Sequence, residues 1–271
     1  MTRLQAIITS CHNDSFKSVM KLHQASERRD QRKFLVEGTH LVEEAIATDW
    51  PLESLCFEEA WAEQNEPLLN RIRKDPSRDK IVLQPATKDI LNKLSTTSSR
   101  TPVVGVAFLH DRVAERSKQN SLALAVESLQ DPGNLGSIIR IAAAAGVGQV
   151  YVSEDSVAPT NPKVLRSTAG QWFRSPPVVT DLKLFLKVQK AASWQILAAC
   201  ADGKSYWEMD LTQPTLFLLG NEGGGLSPEM LSLATDKVSI PMAASVESLN
   251  VSIAGALLLY EAQRQRLNGR A

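Results

Sequence analysis

Short apolar runs alternate with helix-like segments along most of this 271-residue chain, and that alternation is the strongest constraint on its fold. Strands are predicted at 34–36, 54–57, 80–83, 103–108, 122–126, 149–152, 195–199, 215–219 and 238–240. Between them, apolar residues recur at helical spacing, most clearly at 87–94, 136–145, 182–189 and 249–266. This alternation predicts an α/β fold, and from residue 122 onward the strands separated by helices favour a mostly parallel sheet covered on both faces.

One polar stretch interrupts the alternation. The segment HDRVAERSKQNS, residues 110–121, has no regular apolar stripe and is typical of a linker. We therefore predict a smaller α/β domain at 1–108, a linker at 109–121 and a second α/β domain at 122–271. The chain length suits two domains.

Composition excludes several classes of protein. Basic and acidic residues number 30 each, which excludes a uniformly basic coat protein but leaves room for a local basic patch. Three separated cysteines, Cys11, Cys56 and Cys200, indicate reduced thiols, and we expect no metal site because no Cys/His cluster occurs. We see no signal peptide and no apolar run of the roughly 20 residues that span a bilayer, so we expect a cytoplasmic protein.

A basic stretch lies near the N-terminus. It contains Lys17, Lys21, Arg28, Arg29, Arg32 and Lys33, whereas residues 34–70 contain no Lys or Arg. Such a stretch either meets a phosphate backbone or forms a solvated helix face, and charge alone slightly favours the second interpretation.

Three loops follow predicted strands, at the end of the sheet where open parallel α/β folds bind ligands. The first, DPGNLG at 131–136, leads into a helix of small residues. Asn134 lies at the loop-to-helix junction, where it either caps the helix or meets a ligand. Arg140 is the one charged residue of the predicted helix, and it either extends into solvent or binds an anion. The sequence leaves both pairs of alternatives open.

The second loop, LLGNEGGGLSP, is rich in glycine. Four glycines within residues 220–225 leave backbone groups uncovered for a ligand. The loop is not a P-loop, because Leu226 stands where the phosphate-binding Lys belongs, and it lacks the dinucleotide fingerprint. Glu222 either contacts a ligand or partners the dipole of the helix that begins near Ser227.

The third loop contains IPM at 240–242 and ESLN at 247–250, just before a long apolar helix. Ser248 and Asn250 both suit an N-cap, although one cap explains only one of them. All four histidines precede residue 122, so a His-activated nucleophile is poorly supported in the second domain.

Taken together, the segments DPGNLGSIIRIAAAAG, LLGNEGGGLSPEM and IPMAASVESLNVSIAGALLLYEAQRQR resemble the three ordered motifs of the SpoU family. These are RNA ribose 2′-O-methyltransferases of the SPOUT class, and the resemblance covers about residues 121–266. The segment FLVEGTHLVEEAI resembles, more weakly, a substrate-binding domain similar to ribosomal protein L30e that is often fused to this family.

This resemblance implies a C-terminal SPOUT domain whose parallel sheet carries a deep trefoil knot, preceded by a smaller L30e-like α/β domain. The implied methyl donor is S-adenosyl-L-methionine, bound mainly through backbone groups at Gly220, Ile240 and Leu249. The family also implies a homodimer formed through the C-terminal domain, with each active site drawing on both subunits.

The resemblance also assigns roles to the polar residues of the three loops. Arg140 matches the catalytic arginine, Asn134 lies beside it, and the other motifs contribute Glu222, Ser248 and Asn250. A guanidinium is effectively always protonated, so we expect Arg140 to bind a phosphate or the hydroxyl and stabilise alkoxide charge rather than act as base. The proton would then pass to Glu222 or to solvent.

The expected substrate is RNA, with 23S-type rRNA favoured, and the basic stretch at 17–33 becomes a candidate RNA-docking surface. Two alternatives remain: a tRNA ribose 2′-O-methyltransferase, and a non-catalytic RNA-binding protein on the same scaffold. A Rossmann-type oxidoreductase is disfavoured because the dinucleotide fingerprint is missing.

Overall fold

The computed structural model describes residues 6–97, 101–110 and 121–268. The chain forms two compact units, Met1–Asp111 with Thr160–Phe173, and Arg112–Pro159 with Arg174–Ala271. We call them unit 1 and unit 2. Most of the linker predicted at 109–121 lies outside the described residues.

The elements run in the following order. The first part of the chain contains α1 (Asp14–Lys21), α2 (Ala25–Gln31), β1 (Lys33–Glu37), α3 (Thr39–Ala47), β2 (Leu52–Phe57), α4 (Glu59–Gln64), α5 (Glu66–Lys74), a 3₁₀ turn (Pro76–Arg78), β3 (Val82–Pro85), α6 (Lys88–Leu94) and β4 (Val103–Phe108). The remainder contains β5 (Leu122–Val126), α7 (Pro132–Ala144), β6 (Gln149–Ser153), α8 (Pro162–Ser167), α9 (Gln171–Arg174), β7 (Val178–Thr180), α10 (Leu182–Ala191), β8 (Gln195–Ser205), a 3₁₀ turn (Tyr206–Glu208), β9 (Thr215–Leu219), α11 (Pro228–Leu233), β10 (Asp236–Ser239) and α12 (Val251–Asn268).

Unit 1 contains a four-stranded mixed sheet in the order β1-β4-β2-β3. Strand β4 is antiparallel to both of its neighbours, while β2 and β3 are parallel. The α/β class predicted for the first domain is observed, and its sheet is mixed because the alternation of helices and strands does not fix the direction of each strand.

Residues 160–173 pack with unit 1, although the sequence-based boundary assigned them to the second domain. The reason is an aromatic cluster. Trp172 lies 4.9 Å from Phe34 and 5.0 Å from Trp50 between ring centroids, and Phe173 lies 5.7 Å from Trp50. Trp172 and Phe173 are both buried, and burial of side chains this large stabilises the association of the segment with β1.

Unit 2 confirms the predicted parallel α/β architecture. Its six strands lie in the order β10-β8-β9-β5-β6-β7, and every pairing is parallel. All residues of β5 and β9 are buried, as expected for central strands covered on both faces. Strand β7 was not predicted, because it has three residues at the sheet edge and none is fully buried.

Two boundaries in unit 2 differ from the prediction. Helix α7 begins at Pro132 rather than at residue 136, because the Asp131 carboxylate caps it by accepting the Asn134 amide at 2.9 Å. Strand β8 continues to Ser205, beyond the predicted end at 199, because its second half pairs with β10 after a register shift.

The parallel arrangement brings the carboxyl ends of β5, β8, β9 and β10 to one edge of the sheet. The loops that follow these strands contain all three predicted motifs. Helices α7 and α12, which follow the first and the third motif, pack against each other. Within the described ranges, no helix is long and apolar enough to cross a membrane.

Candidate active site

A cavity of about 540 Å³ opens at the carboxyl ends of β9 and β10 and beside the middle of β8. It is lined by Ala199, Cys200, Ala201, Leu219, Gly220, Asn221, Glu222, Gly223, Gly225, Val238, Ile240, Met242, Glu247, Ser248, Leu249, Asn250, Val251 and Ala254. The three residues predicted to bind the cofactor are all in this lining, and so are Glu222, Ser248 and Asn250. Its size lies within the range of about 300–1,000 Å³ typical of small-molecule sites.

The glycine loop closes tightly on itself. The backbone groups of Asn221 and Gly225 pair in both directions, at 2.9 and 3.0 Å between N and O. A Cβ atom on Gly220 would lie 2.2 Å from the carbonyl carbon of Gly225, so only glycine fits there. Gly225 itself has φ of 66°, a conformation that favours glycine.

Asn221 organises this loop and was missed by sequence reasoning. Its side-chain Oδ1 accepts the amides of Gly223 and Gly224 at 2.8 and 3.2 Å. Its Nδ2 donates to the Ser128 carbonyl at 2.7 Å, which ties the glycine loop to the loop after β5. An Asn followed by glycines is a common signal for an Asx turn, and that signal was available in the sequence.

Three of the predicted catalytic residues form a hydrogen-bonded chain. Asn250 Nδ2 donates to Asn134 Oδ1 at 2.9 Å, and Asn134 Nδ2 donates to Glu222 Oε1 at 3.1 Å. We call this series the amide–carboxylate chain. It joins the start of α12, the start of α7 and the glycine loop, so the three motifs meet at one point.

The Glu222 carboxylate also accepts two backbone amides, from Gln130 at 3.3 Å and from Asp131 at 3.1 Å. Desolvation by itself raises the pKa of this carboxyl, but the hydrogen bonds from Asn134 and the surrounding amides outweigh it and lower the pKa below its usual value. Glu222 is therefore an ionised acceptor whose two oxygens are both engaged.

Asn250 is the residue that caps α12. Its Oδ1 accepts the amide and the hydroxyl of Ser252 at 2.9 and 2.6 Å, so the side chain both caps the helix and extends the amide–carboxylate chain. The cap and the functional interpretation of Asn250 are thus compatible. Ser248 lines the cavity as an exposed residue and has no hydrogen-bond partner within the described part of the chain.

Arg140 lies outside this cluster. It is exposed on α7, nearly two turns after Asn134, and its side chain makes no hydrogen bond or ion pair within the residues that the structure describes. Its guanidinium is available to a group from outside the chain.

Several backbone groups in the cavity wall are also free to bind a ligand. Ile240, Met242 and Leu249 line the cavity, and their amides and carbonyls have no protein partner within the described ranges. Backbone groups without a protein partner in a cavity wall can donate to or accept from a polar ligand, which suits this cavity to such a ligand. Cys200 also lines the cavity, where burial, reinforced by Asp202, raises the pKa of its thiol and keeps it protonated.

The six basic residues at 17–33 do not form one surface. Arg28 is buried and donates to the carbonyls of Leu22 and His23 at 2.9 and 2.8 Å, so its role is structural. Lys33 is half-buried and pairs with Glu53 at 2.7 Å. In contrast, Lys17, Lys21, Arg29 and Arg32 are exposed.

A parallel sheet with a glycine-lined cavity at the carboxyl ends of its strands defines an α/β protein with a small-molecule site. Comparison with known sequences identifies the group within that class. Residues 121–260 match the sequence model of the SpoU rRNA methylase family, and residues 13–105 match that of the MRM3-like substrate binding domain. The chain belongs to the SpoU rRNA methylase family, as its three motifs predicted.

Individual relatives match nearly the whole chain. A tRNA/rRNA methyltransferase of Synechocystis sp., itself named as uncharacterized, is 38% identical over 96% of this chain and 94% of its own length. A 23S rRNA (uridine(2479)-2′-O)-methyltransferase of Streptomyces viridochromogenes is 32% identical over 92% of this chain and 88% of its own. The crystal structure of an AdoMet-bound rRNA methyltransferase from Sinorhizobium meliloti superposes with a TM-score of 0.84, at 28% identity, over 96% of this chain and 97% of that one.

Proposed function

We propose that this protein transfers a methyl group from S-adenosylmethionine to the 2′-hydroxyl of a ribose in RNA, and that its substrate is 23S-type rRNA. The observation that carries the proposal is the amide–carboxylate chain of Glu222, Asn134 and Asn250, placed at the glycine-lined cavity of a SpoU family member. The relative from Streptomyces viridochromogenes, named for activity on 23S rRNA, supports the choice of substrate.

The cavity fits the proposed cofactor. Its volume, its mixed apolar and polar walls, and the backbone groups of Ile240, Met242 and Leu249 that have no partner among the described residues suit a ligand with an adenine ring and an amino-acid tail. The close approach of Gly220 to Gly225 keeps side chains out of the same wall. When bound, S-adenosylmethionine supplies a methyl group on a positively charged sulfur.

The protein has to orient the ribose hydroxyl and disperse the charge that develops on its oxygen. One C–O bond forms, one S–C bond breaks, and the hydroxyl proton leaves. Asn250 lines the cavity, and its hydrogen bond to Asn134 fixes the orientation of both side-chain amides. Positioning of this kind contributes several kcal/mol to rate enhancement.

Glu222 acts in this proposal as an anchor and not as the proton acceptor. Its oxygens already accept from Asn134, Gln130 and Asp131, and its lowered pKa makes it a weak base. The proton therefore passes to solvent.

We place Arg140 in the active site of a second subunit. Helix α12 exposes Ile253, Leu257 and Tyr260 at spacings of four and three residues, which puts them on one face, with Leu249 exposed just before the helix. An apolar stripe of this kind marks a protein interface. The stripe, together with the lack of a partner for the Arg140 side chain among the described residues, supports a homodimer in which each site takes an arginine from the partner.

Two further features belong to this proposal. The C-terminal part of unit 2 is knotted. In support, β8 continues past β9 to pair with β10, and a Cβ atom on Gly203 would lie 2.6 Å from the Val238 backbone, so the two chain segments approach each other very closely. The protein acts in the cytoplasm, where rRNA is available to it.

For the RNA, the exposed residues Lys17, Lys21, Arg29 and Arg32 of unit 1 remain candidates for phosphate binding. Arg28 and Lys33 do not, because Arg28 is buried and Lys33 is half-buried against Glu53. The match of unit 1 to a substrate-binding domain supports this assignment.

The proposal is tested by mapping 2′-O-methylation across total RNA from cells with and without this protein. We expect a single ribose in 23S-type rRNA to lose its methyl group when the protein is absent and to regain it with wild-type protein. Loss of a methyl group from tRNA would reassign the substrate, and no loss together with no binding of S-adenosylmethionine would contradict the proposal.

A further inference from the structure

A second polar cluster lies directly behind the amide–carboxylate chain, between the loops that follow β5 and β6. The two carboxylate oxygens of Asp155 accept the hydroxyls of Ser128 and Ser153. The Ser153 hydroxyl in turn accepts the Ser128 amide at 2.8 Å. None of these groups lines the cavity, and the proposed reaction does not use them directly.

Ser128 has an unusual backbone conformation. Its φ of 51° lies in the left-handed region, which non-glycine residues adopt at an energetic cost. All of its polar groups are engaged, since its carbonyl accepts Asn221 Nδ2 at 2.7 Å and Gln130 Nε2 at 3.0 Å, in addition to the hydrogen bonds of its amide and hydroxyl. The surroundings therefore determine this turn completely.

The turn is fastened to the loop after β6 at further points. Gln130 Nε2 donates to the Asp155 carbonyl at 3.0 Å, and the Leu129 amide donates to the Ser156 hydroxyl at 2.9 Å. The next two backbone amides along the chain, those of Gln130 and Asp131, point at the Glu222 carboxylate. The orientation of these amides thus depends on the hydrogen bonds that hold Ser128.

We propose that Asp155 is a positioning residue for methyl transfer, because it holds the Ser128 turn whose amides anchor Glu222, and through Glu222 it fixes Asn134 and Asn250. The catalytic consequence rests on the proposed function, whereas the effect on the turn does not.

Asp155 is suited to this task because it is ionised. The hydroxyls of Ser128 and Ser153 lower the pKa of its carboxyl, so both oxygens are acceptors at neutral pH. Its neighbour Glu154 is also exposed but makes no hydrogen bond within the described ranges, and it provides a matched control.

The first test compares Asp155→Ala, Ser128→Ala, the double variant and Glu154→Ala in methyl transfer to RNA. We expect kcat to fall about tenfold in each single variant of the pair, with S-adenosylmethionine affinity within about twofold of wild type. Because both residues act through one turn, the double variant falls no further than either single variant. Glu154→Ala keeps the wild-type rate.

Losses that multiply in the double variant, or an unchanged kcat in Asp155→Ala, would overturn the inference. Asp155→Asn keeps one acceptor oxygen and the side-chain shape, so we expect an intermediate kcat. This variant keeps the test decisive if Asp155→Ala does not fold.

The second test needs no catalysis. Amide hydrogen exchange at Gln130 and Asp131 is measured in the free protein, and we expect about tenfold faster exchange in Asp155→Ala but not in Glu154→Ala. Unchanged exchange would overturn the inference whatever the enzyme's activity. A wild-type protein that methylates no RNA would instead contradict the proposed function and leave this measurement valid.

Discussion

At the residue scale, the active-site candidates differ in what holds them. Glu222, Asn134 and Asn250 are fixed by one another and by backbone amides, whereas Arg140 has no partner within the described residues. Glu222, Asn134 and Asn250 can therefore be held in their active positions within a single chain. Arg140 is not ordered by any group among the described residues, which is why we assign its partner to a bound molecule or a second subunit.

This contrast gives a prediction for Arg140→Lys. A lysine keeps the positive charge but loses the planar fork of the guanidinium, so we expect kcat to fall about 100-fold while S-adenosylmethionine affinity is unchanged. Single-turnover methyl transfer and calorimetric titration of the donor measure the two quantities. Near-full turnover of Arg140→Lys would contradict a geometry-dependent role.

Glu222 gives a prediction about pH. Its pKa is lowered in the folded protein, so it contributes stability above its ordinary pKa of 4.5, and that contribution is lost as the pH falls through the lowered value. We expect Glu222→Gln to be less stable than wild type in urea unfolding at pH 7, and the difference to shrink below about pH 4.5. Glu247→Gln is the control, because Glu247 lines the same cavity without a hydrogen bond to any described residue. If the stability difference between wild type and Glu222→Gln does not change with pH, the ionised form of Glu222 is not the form that the fold stabilises.

At the scale of elements, the glycine loop is a piece of backbone geometry more than a set of side chains. Its shape depends on the pairing of Asn221 with Gly225 and on the absence of a side chain at Gly220. Gly224 has room for a side chain, since a Cβ atom there would meet no atom within 4 Å.

Two alanine substitutions separate these cases. We expect Gly220→Ala to destabilise the protein by about 1–3 kcal/mol and to weaken S-adenosylmethionine binding at least tenfold, because the backbone of Gly225 must move away. Gly224→Ala should change stability by no more than about 0.5 kcal/mol. Urea unfolding and donor titration measure both effects, and equal behaviour of the two variants would show that the close approach does not shape the site.

At the scale of the whole molecule, the proposed activity depends on surfaces that one chain leaves exposed. Ile253 and Tyr260 are about half exposed on α12, close in sequence to the loop that carries Ser248 and Asn250. An interface on this stripe would lie next to the cavity. A substitution that disrupts the interface should therefore abolish subunit association and catalysis together.

We therefore expect Leu257→Glu to convert a dimer into a monomer in sedimentation velocity and to abolish methyl transfer. Val188→Glu is the matched control, since Val188 is an exposed apolar residue on another helix of the same unit, α10. Wild-type protein that sediments as a monomer at micromolar concentration would contradict the homodimer, and an active monomeric variant would contradict the sharing of Arg140.

The basic residues of unit 1 give a prediction about salt. Replacing Lys17, Lys21, Arg29 and Arg32 with Gln should weaken RNA binding and reduce the salt dependence of the affinity. For single-stranded RNA, the log–log slope should fall by roughly 0.7 for each phosphate that the protein no longer neutralises. The same change at Arg71, Arg73 and Lys74, which are exposed at the end of α5, is the control. If both sets have equal effects, binding does not depend on the stretch near α1 and α2.

The family and the parallel sheet of unit 2 were predictable from the sequence, because local chemistry determines both. Fully apolar runs such as 122–126 and 215–219 suit only buried strands, and the glycines, Asn134 and Glu222 occur at recognisable spacings. The candidate residues at the cavity follow from the same motifs. Asn221 could have been added, since its Asx turn is a local signal.

The tertiary structure alone decided the features that depend on interactions between residues distant in the chain. No local pattern specifies the partner that determines three of these features: the direction of β4, the packing of 160–173 with unit 1, and the burial of Arg28. The same is true of the bond from Asn250 to Asn134, 116 residues apart, and of the tie from Asp155 to Ser128. Local patterns determine which residues are suited to a strand, turn or site, but long-range packing determines which of them meet.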